Sequence, residues 1–126
     1  RLPYAVECDL WSIGCVTYEL ATNQLLFDPD TTGDALHCAR DHLSIMEALL
    51  GTMPDDMWRN SPHTKKLYTK AGCIQEGCKL ERTTLEDLLE ENLEDGRSDS
   101  AEIVEKLPQL IRRYLQYNPL SRPGVI

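Results

Sequence analysis

From residue 7 to residue 21 the chain reads Glu-Cys-Asp-Leu-Trp-Ser-Ile-Gly-Cys-Val-Thr-Tyr-Glu-Leu-Ala, a helix that is apolar almost all the way round. Leu10, Trp11, Ile13, Val16, Tyr18 and Leu20 keep to no single stripe, and a helix of that kind belongs inside a core. It is expected to be the most buried element, with Trp11 close to inaccessible unless parts outside these 126 residues are needed to close its side of the core. Residues 1–6 form an extended entry. Asn23-Gln24 end the helix, and Phe27-Asp28-Pro29-Asp30 makes a turn. The polar stretch 31–39, with Gly33 inside it, predicts a loop. Leu43, Met46, Leu49 and Leu50 then recur at helical spacing, predicting a helix over 40–50 that Gly51 stops. Pro54 opens one short helical turn as its first residue, and Ser61-Pro62 breaks the chain. Residues 65–79 are poorly patterned, with an extended piece at 67–69. Thr83 is expected to cap a helix over 84–91, with Glu86 three residues beyond it as in a capping box. Leu85, Leu88 and Leu89 give that helix its apolar face. After a loop at 95–99, a helix over 100–106 is followed by another over 108–117, with a break or kink at Pro108. Leu110, Ile111, Tyr114 and Leu115 form the buried stripe of this last segment. The pattern as a whole predicts a mainly α fold.

Composition narrows the class. The 126 residues suffice for one small domain with a core. At 41% hydrophobic the chain is globular rather than disordered. A net charge of −8 argues against a nucleic-acid surface and suits a basic partner. No apolar run is long enough to span a bilayer. The chain starts at Arg1 without Met and shows no signal peptide, so a fragment of a longer protein is expected. Of the five cysteines, Cys8 and Cys15 lie seven apart on the apolar helix, where thiols act as small hydrophobes. Cys73 and Cys78 sit close together in a Gly-containing loop. Neither they nor His37, His42 and His63 keep a ligand spacing, so no metal site is expected. Unpaired cysteines fit a reducing compartment.

Asp9 admits two readings. It is either an N-terminal cap, or a carboxylate that holds another backbone segment through its hydrogen bonds. The pattern Asp-x-Trp-Ser-x-Gly that it opens (Asp9, Trp11, Ser12, Gly14) resembles the central helix of the large, C-terminal lobe of eukaryotic protein kinases. Glu19 to Phe27 looks like the continuation. Near the other end, Leu115-Gln116-Tyr117-Asn118-Pro119-Leu120-Ser121-Arg122-Pro123 is similar to the kinase motif ending in Pro-x-x-Arg-Pro. Between them, Asp41-His42-Leu43-Ser44-Ile45-Met46-Glu47-Ala48-Leu49-Leu50-Gly51-Thr52-Met53-Pro54 and Lys65 to Gly72 resemble the CMGC group, above all SR-protein kinases and secondly Clk-like kinases.

That resemblance implies a truncated C-lobe, a central helix with others packed around it. It covers the second half of a kinase domain. The Gly-rich loop, nucleotide lysine, metal-binding groups and catalytic Asp of phosphoryl transfer do not occur in these 126 residues. No catalytic or cofactor-binding residue is therefore assigned. ATP and Mg2+ are expected in the parent kinase and not on this stretch. The resemblance implies supporting roles: Asp9 accepts hydrogen bonds from the catalytic-loop backbone, Leu10 and Trp11 pack beneath that loop with Gly14 in the same helix, and Arg122 pairs with the Glu of an upstream Ala-Pro-Glu motif. With that Glu outside the chain, Arg122 should turn to solvent or take a substitute acceptor such as a carbonyl near Pro3. Replacing it with Leu should then harm this stretch little.

Asp41 matches one acid of the SR-kinase docking groove. The second family acid falls at Ala48, and Glu47 lies about 100° away round the helix, where the Clk-like pattern has its acid. Asp28, Asp30 and Asp34 extend the acidic surface. The expected partners are basic, Arg-Ser-rich proteins, with no nucleic acid and no membrane, and the expected location is cytoplasmic and nuclear. The expected activity of the parent is transfer of the ATP γ-phosphate to Ser or Thr of such substrates. The rival reading is a non-catalytic helical interaction module. Taken alone, the stretch is expected to be unstable or to aggregate.

Overall fold

The computed structural model describes residues 7–75, 80–93 and 101–123. Six helices follow in order: α1 Glu7–Thr22, α2 Ala35–Leu50, α3 Asp55–Arg59, α4 Pro62–Lys65, α5 Leu85–Asn92 and α6 Ala101–Tyr114. A 3-10 turn at Pro119–Ser121 comes last. No strand occurs among the described residues, and the extended piece expected at 67–69 amounts to one antiparallel bridge between Tyr68 and Ile74. The chain divides into two compact units. One holds the chain up to Leu26 together with everything from Thr84 on; the other is Phe27–Thr83.

In the first unit α1 packs on α6, α5 and the 3-10 turn. Its buried positions are Leu10, Gly14, Tyr18 and Ala21, a stripe three to four residues apart, together with Thr22. At Gly14 the helices pass close to each other: a Cβ there would stand 3.0 Å from the Tyr114 Cβ and 3.1 Å from Leu115 Cδ2. The Tyr18 hydroxyl accepts from Asn92 Nδ2 at 3.3 Å, tying α1 to α5. Asn23, at φ 57°, turns the chain out of the helix. α1 carries the largest share of buried residues among these helices, as expected, but it is not buried all the way round. Ile13 (46% exposed), Val16 (50%) and Leu20 (71%) lie on the side of the cylinder away from α5 and α6, and Trp11 is half-buried.

α5 is capped by Thr84 and not by Thr83. The Thr84 hydroxyl accepts from Asp87 N–H at 3.1 Å, so Asp87 takes the place expected for Glu86. Leu85 and Leu89 are buried and Leu88 half-buried. α6 runs unbroken through Pro108, contrary to the expected break. Proline removes one backbone bond from the helix, yet its ring is among the most completely buried side chains, which offsets that loss. The buried stripe is Pro108, Ile111 and Leu115, with Tyr114 half-buried; Leu110, one residue from Ile111, is rotated outward and 42% exposed. The helix ends at Tyr114, three residues early. The expected loop at 95–99 lies outside the described residues.

In the second unit α2 begins at Ala35, so half of the expected polar loop is helix. Asp34 is the reason: its carboxylate accepts from His37 N–H at 2.8 Å and caps the helix. Gly51, at φ 91°, ends α2, its N–H donating to the Glu47 carbonyl. Pro54 is the cap residue of α3 rather than its first helical residue, and Pro62 opens α4 instead of only breaking the chain. The core centres on Trp58 and Tyr68, whose rings stack 4.9 Å apart with 10° between their planes. Leu43, Leu49, Met53 and Leu67 are buried in the same unit.

Candidate functional site

Two clusters carry the residues singled out by sequence, one in each unit. In the first unit, Arg122 lies just past the 3-10 turn, whose cap Asn118 accepts from Leu120 N–H at 3.0 Å. Its guanidinium is half-buried and donates to three carbonyls: Glu7 O at 2.5 Å, Gln116 O at 2.9 Å and Tyr117 O at 3.5 Å. It also sits over the Trp11 ring, 5.2 Å from its centre, and Trp11 in turn stacks on Tyr117 at 6.4 Å. Burial pulls the Arg122 pKa below its ordinary value, while Cys8 and Glu7 nearby push it up. Arg122 has thus taken substitute acceptors, the Glu7 carbonyl among them; residues 1–6, with the carbonyls near Pro3, lie outside the described residues.

Asp9 stands within the first turn of α1, two residues past its start, so it is not the cap. Its carboxylate is exposed and has no hydrogen-bond partner among the described residues. Leu10 is buried beneath the same turn, and Trp11 forms the shelf under Arg122. The arrangement joins the start of α1 to the end of the chain through one cation.

The second cluster lies around the start of α2. Asp30 Oδ1 accepts from both the backbone and the hydroxyl of Thr32, at 2.9 and 2.7 Å, and Asp30 Oδ2 lies 3.2 Å from His37 Nε2. These hydrogen bonds, Thr32 first and His37 after it, lower the Asp30 pKa to about 2. Asp30 N–H donates to Asp41 Oδ2 at 2.6 Å. Asp30, Asp34 and Asp41 therefore do gather in one exposed surface, but each spends at least one oxygen on the fold. Asp28 is exposed nearby in sequence and holds no such bond.

Glu47 does not join them. Its Oε1 accepts from Met53 N–H and from the Tyr68 hydroxyl, both at 3.0 Å, which turns the carboxylate toward the Trp58–Tyr68 core. Arg82 donates to the Glu47 carbonyl at 2.8 Å. Thr32, His37 and Arg82 were not expected in any role. An Asp three residues before a His at the head of an apolar run is a helix-start signal, and it would have placed His37.

Among the described residues no group of three or more His, Cys, Asp or Glu is placed to hold a metal ion, and no helix is long and apolar enough to cross a membrane. Cys8, Cys15, Cys38 and Cys73 are thiols, and burial pushes that of Cys15 up. Cys78 lies outside the described residues, and with it the expected approach of Cys73 to Cys78.

No family model matches the chain. Individual proteins do. It is 31% identical over 120 residues to serine/threonine-protein kinase SKY1 of Saccharomyces cerevisiae, covering 95% of this chain and 16% of that protein. It is 32% identical over 115 residues to serine/threonine-protein kinase SRPK of Physarum polycephalum, covering 90% and 26%. With dual specificity protein kinase CLK2 of Mus musculus the identity is 31% over 132 residues, covering 97% and 23%. The chain thus spans less than a third of the length of each. Its homologues are protein kinases of the CMGC group, and the chain, helical and without strands among its described residues, is similar to a segment of the C-lobe of SR-protein kinases.

Proposed function

We propose that the chain is part of a serine/threonine kinase that transfers the ATP γ-phosphate to Ser or Thr of Arg-Ser-rich proteins, in the cytoplasm and nucleus. The observation that carries this reading is the Arg122 clamp. The residue that a kinase C-lobe uses to tie its last helices to the segment before the central helix reaches here for the first residue of α1. In this reading the exposed Asp9 carboxylate is open to backbone N–H groups of the parent's catalytic loop. Leu10 and Trp11 support that loop from below, and Gly14 lets α6 brace the helix. The exposed side of α1 at Ile13, Val16 and Leu20 is where upstream parts of the lobe would lie. ATP and Mg2+ would be held by residues of the parent outside this stretch, and this stretch contributes positioning rather than chemistry. Basic substrate would meet Asp28 and the free oxygens of Asp34 and Asp41. Glu47 is spent on Met53 and Tyr68, so docking through it is given up.

A non-catalytic module is favoured by one fact: Arg122 already donates to the Glu7 and Gln116 carbonyls within this chain. Phosphate transfer decides between the two. The full-length protein, incubated with labelled ATP and Mg2+, should phosphorylate an Arg-Ser repeat peptide and not its Arg-Ala twin. A folded full-length protein that labels neither refutes the kinase reading. The 126-residue chain alone should show no magnesium-dependent heat of ATP binding by calorimetry, and micromolar binding would overturn the division of labour.

A further inference from the structure

We draw no further inference here: the strongest candidate, the apolar groove that Ala35, Leu36, Ala39 and Leu43 of α2 form with His63 and Lys66 at α4, carries none because nothing in the structure shows what covers it.

Discussion

Removing the Arg122 guanidinium should destabilise the 126-residue chain substantially, contrary to what its motif alone suggests. Arg122→Leu deletes two well-formed charge-assisted bonds, to Glu7 O and Gln116 O. Each is worth about 1.5 kcal/mol at the low end appropriate to a half-buried site. The third contact, to Tyr117 O at 3.5 Å, is too long to count. The cation over Trp11 adds about 0.5–1 kcal/mol. Leucine regains roughly 1 kcal/mol by covering the same ring. The net loss is about 2–3 kcal/mol, read as a shift in urea unfolding followed by tryptophan fluorescence. Arg122→Lys, which keeps the charge but reaches one carbonyl at most, should lose about half as much. A Leu variant within about 0.5 kcal/mol of the parent would show that the clamp is a surface contact of the kind that contributes nothing measurable.

Three further outcomes test other parts of the structure. Gly14→Ala gains about 1 kcal/mol of helix propensity, but it forces a methyl against the Tyr114 Cβ, which cannot move without its helix; a net loss of about 1–2 kcal/mol in thermal unfolding is expected, and a gain would disprove the close approach of α1 and α6. Glu47→Ala removes the side-chain acceptor of the Met53 N–H and one acceptor of the Tyr68 hydroxyl and should cost about 1–3 kcal/mol, whereas Glu47→Gln, which keeps an acceptor oxygen, should cost less than half of that; equal losses would mean that charge and not acceptance matters there. Hydrogen bonding from Arg112 holds the Glu86 carboxyl below its usual range. Its contribution is therefore present above the ordinary value near 4.5 and is lost as pH falls through the lower folded value. Acid unfolding of Glu86→Gln should show a shallower limb in that window, and an unchanged limb would remove the pair from the acid response.

The end motifs were legible because each is built from residue types with few substitutes: an Asp and a Trp at the head of a helix, an Arg between Ser and Pro. α1 could be placed almost to the residue for the same reason. Its burial could not. Local pattern reports how apolar a helix is and not how many of its sides have neighbours, so Ile13, Val16 and Leu20 read as core. Pro108 misled because a helix-breaking residue was weighed only by its backbone; a proline deep in a packed face is tolerated when burial outweighs one lost bond. The start of α2 was missed because Asp34 is one more acid in a polar stretch, and only its bond to His37 marks it as a cap. Asp41 and Glu47 were read as docking charges from the kinase pattern that their helix resembles. Spacing fixes where a side chain leaves the helix, whereas the amides of Asp30 and Met53 that captured these two carboxylates come from loops whose path no periodicity reveals.

The division of the chain into units also sets an order of events during synthesis. The second unit is one continuous stretch and can close as soon as it leaves the ribosome. The first unit is made of two separated stretches: Leu10, Gly14 and Tyr18 are translated first, and Ile111 and Leu115 of the same core follow only after the whole second unit. At roughly 5–20 residues per second, the apolar stripe of α1 waits on the order of 5–20 s for its partner. Through that interval the Leu10–Tyr18 stripe is uncovered alongside Ile13, Val16 and Leu20. During that wait the nascent chain presents a helix whose buried stripe is bare and whose outward side mixes Ile13, Val16 and Leu20 with Asp9, Ser12 and Glu19, the kind of surface that chaperones hold and that drives association with neighbouring chains.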